Sequence, residues 1–161
     1  MKTLTALLAC ASLLLLFHAS VAFSADKQKE FEAIGKMKTA ELVPRAKALL
    51  EKKYPNEDWE KYHFPKFVYL KEGATAAYKI ATKEPDLLAK FHCYCGCEKY
   101  LGHKNLSWCL LKKGKLSNGF DPHATVCNSC FDEAMMVFLW NDLGIDLPRM
   151  QEATKRIYGH Q

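Results

Sequence analysis

Six of the seven cysteines in this 161-residue chain fall between Cys93 and Cys130. They come as a triplet, Cys93-Tyr94-Cys95-Gly96-Cys97, a single Cys109 and a pair, Cys127-Asn128-Ser129-Cys130, with His103 and His123 among them. A C-x-C-x-C run holds three sulfurs close together, and a C-x-x-C at the head of an apolar run presents two more on one helical turn. Sulfurs gathered in this way either pair with each other or hold a soft metal, and the rest of the chain has to be arranged about that stretch.

There is enough chain for one domain with a core of its own and too little for two. An apolar content of 49% and a charged content of 25% are those of an ordinary globular protein. The formal charge is +5, but the lysines are spread thinly along residues 27–53 and 112–115, so no nucleic-acid partner is expected. Residues 1–22 read as an export signal: Lys2, an apolar run from Leu4 to Phe17, and a small-x-small cleavage site at Ser20-Val21-Ala22. Too little apolar chain precedes Cys10 for it to be a lipidation site. The mature protein is therefore expected to be periplasmic or secreted, and to meet a membrane only through the signal segment if that stays uncleaved. In such a compartment six cysteines permit a disulfide framework, which any metal reading has to beat.

Apolar spacing predicts a mainly α fold: a helical segment over 23–65, then a small helical domain over 66–161 with a cysteine-rich loop clamped at the N-terminus of a long helix. Leu42, Val43, Ala46, Leu49 and Leu50 form one stripe, on a helix whose start Pro44 places close to itself. The aromatic stretch Trp59 to Leu70 is expected to be a packing strap. Ala77, Ile80, Ala81, Leu88 and Phe91 share a face that Pro85 divides between two short helices, and Ser107 to Leu111 reads as extended chain. Phe131, Ala134, Met135, Phe138 and Leu139 mark the long helix, Cys130 to Leu143, with Ser129 and Asp132 as a capping pair and Gly144 as its stop. A last helix runs from Leu147 to Tyr158. Cys127 and Cys130 then lie at a helix start, where unpaired amides and the helix dipole favour thiolate over thiol.

Four chemistries fit that pattern. Four thiolates complete a tetrahedral soft-metal site, and Cys93, Cys95, Cys127 and Cys130 are the first-choice set for Cu(I) or Zn(II). Cys97, Cys109, His103 and His123 are further candidate ligands, and Gly96 supplies the backbone freedom that three side chains around one centre ask for. Alternatively, the cysteines staple a structural or interaction module. A C-x-C bridge is strained, so Cys93, Cys95 and Cys97 would each reach one of Cys109, Cys127 and Cys130. The third chemistry is a [2Fe-2S] cluster, because a C-x-C followed after 31 residues by a C-x-x-C at a helix start is similar to the spacing in bacterioferritin-associated ferredoxin domains. The fourth is thiol–disulfide exchange by Cys127 and Cys130. Met135 and Met136 are read as core filler. No nucleophile with its base, no paired carboxylates and no phosphate-cradling glycine loop is legible, so the chain is not expected to be an enzyme. Its expected partners are a metal ion and a protein outside the cytoplasm.

The chain resembles the bacterial exported and lipoprotein family named for its PCYCGC motif. The resemblance is carried by Ala77-Tyr78-Lys79, Pro85, Cys93 to Cys97, His103, Leu106, Cys109, His123, Cys127, Cys130, Ala134 and Arg156 to Tyr158, and covers about the last ninety residues, from Phe67 onward. His92 stands where the family name has proline, which alters the entry to the loop and offers one more imidazole. The resemblance implies a domain outside the cytoplasm and names no reaction.

Overall fold

Apolar residues recurring every three or four positions fold most of the described part of this chain as helix. The computed structural model describes residues 25–159, so the expected export signal, the expected cleavage site and Cys10 lie outside the described residues. Residues 25–33 are helical and belong to a first unit ending at Ala33; a second unit, Ile34–Gln161, carries everything that follows. Its helices are α1 (Thr39–Lys53), α2 (Glu72–Lys83), α3 (Pro85–Leu88), α4 (Cys97–Leu101), α5 (His123–Val126), α6 (Asn128–Asp142) and α7 (Leu147–Tyr158). Short 3-10 turns join them, and among the described residues the only β pairing outside helices is an antiparallel bridge between Leu111 and Phe120. The mainly α expectation holds.

α1, α2 and α6 pack against one another and α7 closes on α6. The stripe Leu42, Val43, Ala46, Leu49 and Leu50 is the buried face of α1, as its spacing predicts. That helix begins at Thr39, so Pro44 lies in the second turn rather than the first. Glu41 Oε2 accepts from the Lys38 amide at 2.9 Å and secures the start, while proline in the second turn removes one intrahelical bond. α2 comes so close to α6 at Gly73 that a Cβ there would lie 2.7 Å from Phe131 Cε2. α6 itself is buried almost all round, from Cys130 through Trp140, which is how a helix behaves at the centre of a small domain. Both Met135 and Met136 are core.

Two further expectations change. α6 starts at Asn128 with Cys127 in the cap position, ahead of the Ser129–Asp132 pair, and Asp132 Oδ2 accepts from Thr39 Oγ1 at 2.9 Å, a tie to α1. The expected extended piece at 107–111 is mostly a 3-10 turn, Leu106–Cys109, because the amides of Trp108, Leu110 and Leu111 turn back onto the carbonyls of Asn105 and Ser107. The aromatic strap packs as expected: Phe64 meets Phe120 at 4.9 Å between ring centroids and Phe67 meets Tyr78 at 5.8 Å.

Candidate metal centre

Three separate pieces of chain deliver the sulfurs, and a fourth brings His123. The loop that carries the triplet is pinned where it starts and ends, since the Leu106 amide donates to the Phe91 carbonyl at 2.9 Å and Phe91 is buried. Within the loop Gly96 adopts φ +81, a conformation that glycine takes without steric cost; the chain reverses there, and Cys97 opens α4 facing back toward Cys93. The 3-10 turn ends on Cys109, and α6 brings Cys127 at its cap and Cys130 in its first turn. His123 opens α5, with its amide on Asp121 Oδ1 at 3.0 Å. Tyr78 of α2 holds this corner, donating its hydroxyl to the Asp121 carbonyl at 2.5 Å and lying 3.2 Å from Thr125 Oγ1.

All six sulfurs converge. Cys93 Sγ lies 3.1 Å from Cys95 Sγ, 3.2 Å from Cys97 Sγ, 2.9 Å from Cys109 Sγ and 3.8 Å from Cys130 Sγ. Cys97 and Cys109 are 3.6 Å apart, Cys95 and Cys130 3.5 Å apart, and His123 Nε2 is 3.4 Å from Cys95 Sγ. These atoms form two groups, each with every atom within 4.8 Å of the others: Cys93, Cys95, Cys97, Cys109 and Cys130 in one, and Cys95, His123, Cys127 and Cys130 in the other. Of the first-choice set, Cys93 joins the first group and Cys127 the second, while Cys95 and Cys130 belong to both. Cys97, Cys109 and His123 are brought in; His103 is in neither group and stacks edge-on behind His123, ring centroids 5.3 Å apart. His92 faces away, toward Glu98.

One sulfur contact differs from expectation. Cys95 and Cys97 are joined as a disulfide, Cα atoms 5.7 Å apart, although the C-x-C spacing argued against it; the turn at Gly96 lets the two side chains face each other. Cys93, Cys109, Cys127 and Cys130 are free thiols, so the triplet is not stapled to α6 or to Cys109 in the way the disulfide reading expected.

Burial and hydrogen bonding sort the free thiols. Cys93 accepts from Cys109 and then Cys130, which pulls its pKa down to about 3 and makes it the thiolate of the group. Cys130 is pushed up by its bonds to Cys109, Cys127 and Cys93; in Cys109 contact with Cys130 works downward, but donation to Cys93 and burial outweigh it. Cys127 is drawn down to about 6 by the hydrogen bond from Cys130. Cys93, Cys97, Cys109 and Cys130 are buried, whereas Cys95, His123 and Cys127 are half-buried and form the open edge of the cluster. Two buried polar atoms nearby have no hydrogen-bond partner: His103 Nδ1, on a ring whose pKa burial lowers, and Glu133 Oε1. Glu133 lies one turn beyond Cys130 on α6, and burial, then the charges of Cys93 and Cys127, push its pKa well up. Sequence reasoning passed over Glu133 and gave Tyr78, one of the residues that carry the family resemblance, no part in the site; the signal for Glu133 was a lone acid inside the apolar run that follows the C-x-x-C.

The donor chemistry suits a soft ion. Sulfurs about 2.3 Å from a tetrahedral metal stand about 3.8 Å from each other, and the Cys93–Cys130, Cys97–Cys109 and Cys95–Cys130 separations of 3.8, 3.6 and 3.5 Å are near that edge length. The separations of Cys93 Sγ from the sulfurs of Cys95, Cys97 and Cys109, 3.1, 3.2 and 2.9 Å, are shorter and would open on binding.

Fold and site together define a small, mainly α-helical protein built around a buried cysteine cluster. Residues 51–159 match the family described as "Protein of unknown function with PCYCGC motif", and the chain belongs to that family. The matched stretch starts at residue 51, ahead of Phe67, so it takes in the end of α1 and the aromatic strap as well as the cysteine region. No curated protein and no solved structure matches the chain.

Proposed function

We propose that this protein binds a soft metal ion, Cu(I) or Zn(II), through its cysteine thiolates outside the cytoplasm, as a carrier, buffer or resistance protein rather than an enzyme. The observation that carries this reading is the convergence of six sulfurs and His123 Nε2, from four pieces of chain, into two ligand groups that share Cys95 and Cys130. Thiolate sulfur selects Cu(I) and Zn(II) over hard cations, and imidazole is acceptable to both. The half-buried edge of Cys95, His123 and Cys127 offers a route by which a metal is passed to or from a protein partner. Loading requires the Cys95–Cys97 disulfide to take up two electrons and two protons from a dithiol reductant, which frees both sulfurs as ligands. Export rests on the signal read over residues 1–22.

The test is a competition titration of the reduced full chain, under inert gas, against chromophoric chelators for Cu(I) and for Zn(II). The expected outcome is withdrawal of metal from the chelator, with proton release as thiols become thiolates. Failure to compete for either metal, or equal binding by a chain in which Cys95 and Cys130 are both serine, contradicts the proposal.

A second reading has an observation of its own. Cys127 is partly exposed with its pKa drawn down to about 6, and Cys93, the thiolate of the group, has its Sγ 3.1 Å from Cys95 Sγ, itself bonded to Cys97. A thiolate next to a disulfide favours exchange. If this chemistry is the function, the chain equilibrates with glutathione buffers at a defined potential and reduces a peptide disulfide in turnover; a metal carrier does not turn over.

A further inference from the structure

We propose that the cluster takes two metal ions rather than one, with the thiolates of Cys95 and Cys130 bridging them. This rests on the metal-binding reading above and deepens it. Seven ligand atoms converge, and a tetrahedral ion uses four. The seven do not surround one point: Cys127 and His123 are grouped with Cys95 and Cys130 but not with Cys93, Cys97 and Cys109. The two groups instead share an edge, Cys95–Cys130, whose sulfurs are 3.5 Å apart. Two tetrahedra that share an edge need two bridging donors and two terminal donors on each metal.

The residue types fall where that arrangement needs them. A thiolate has lone pairs for two metals, whereas an imidazole nitrogen has one, so a shared position can be cysteine but not histidine. Both shared ligands are cysteines, and the histidine is terminal. Cys127 and His123 supply the two terminal donors of the outer metal with none to spare, giving it a Cys3His set. The inner metal has three terminal candidates, Cys93, Cys97 and Cys109, one more than four-coordination uses. The terminal candidates of the inner metal are buried and those of the outer metal are half-buried, so the outer ion is the exchangeable one.

Cd(II) is the probe, because it takes thiolate sites like those of zinc and its spin-half isotope is visible by NMR. The full chain is reduced with a dithiol, freed of it under inert gas, saturated with the isotope, and examined for stoichiometry by native mass spectrometry and for metal–metal coupling by NMR. The expected result is two ions per chain with two distinct resonances that split each other through the shared sulfurs. His123→Ala and Cys127→Ser are each expected to lower the stoichiometry from two to one, with far-UV circular dichroism reporting that each variant is folded. One ion per wild-type chain at saturation, or two resonances without mutual splitting, overturns the bridged pair while metal binding stands. No bound cadmium overturns both.

Discussion

Glu57 shows how a single side chain ties the shell around this core. Its carboxylate takes Lys61 Nζ and the Tyr62 hydroxyl on Oε1, and Lys83 Nζ on Oε2 at 2.6 Å. Those bonds, Lys61 first, then Lys83 and Tyr62, lower its pKa from 4.5 to about 2. A carboxylate whose folded pKa is depressed stabilises the fold above its unfolded pKa, and that contribution is lost as pH falls through the folded value. Acid titration of stability is thus expected to show a loss between about pH 4.5 and pH 2 that Glu57→Gln removes, with the variant less stable at neutral pH; superimposable profiles for the two proteins would contradict this. At this scale much of the site was legible. Sulfur spacing singled out the six cysteines that converge and His123, and the glycine between Cys95 and Cys97 pointed to the reversal that Gly96 makes at φ +81. That Cys95 and Cys97 face each other was not legible, because the argument against a C-x-C bond took the chain as extended, and the reversal removes that premise.

Among the elements, α2 has a part in the site that its sequence did not announce. Its Tyr78, buried with the hydroxyl on the Asp121 carbonyl, fixes the corner from which His123 reaches the sulfurs. Burial, the largest cause, raises the Tyr78 pKa to about 12, so the hydroxyl keeps its proton and remains the donor. Tyr78→Phe is expected to cost about 0.5–1.5 kcal/mol of stability, seen as a lower urea midpoint, and to weaken metal binding on the His123 side. Unchanged metal affinity in the variant would mean that α5 positions His123 unaided. Helices with long apolar stripes were read correctly as to type, since α1, α2 and α6 each bury the residues their spacing selects. Their ends were less legible: Pro44 marked the start of α1 too late because proline is tolerated deeper in the helix than the first turn, and Cys127, a poor cap by residue type, begins α6 because the approach from α5 leaves it extended. The stretch 107–111 was too short for periodicity to tell a 3-10 turn from a strand.

For the molecule as a whole, three mutually packed helices hold a rigid floor, and a loop, a 3-10 turn and a capped helix start set sulfur upon it. Membership of the PCYCGC family accounts for the spacing without assigning a reaction, so the claim of function stands on the convergence of sulfurs alone. Among the described residues no helix is long and apolar enough to cross a membrane, and the leader expectation concerns residues outside them. The most direct measurement is made on protein purified from its native compartment under inert gas, with soft metals quantified and thiols counted after denaturation on the same sample. The account predicts at least one copper or zinc ion per chain and all six mature cysteines titrating as thiols. A chain free of metal, with Cys95 and Cys97 bonded and only Cys93, Cys109, Cys127 and Cys130 titrating, would contradict it.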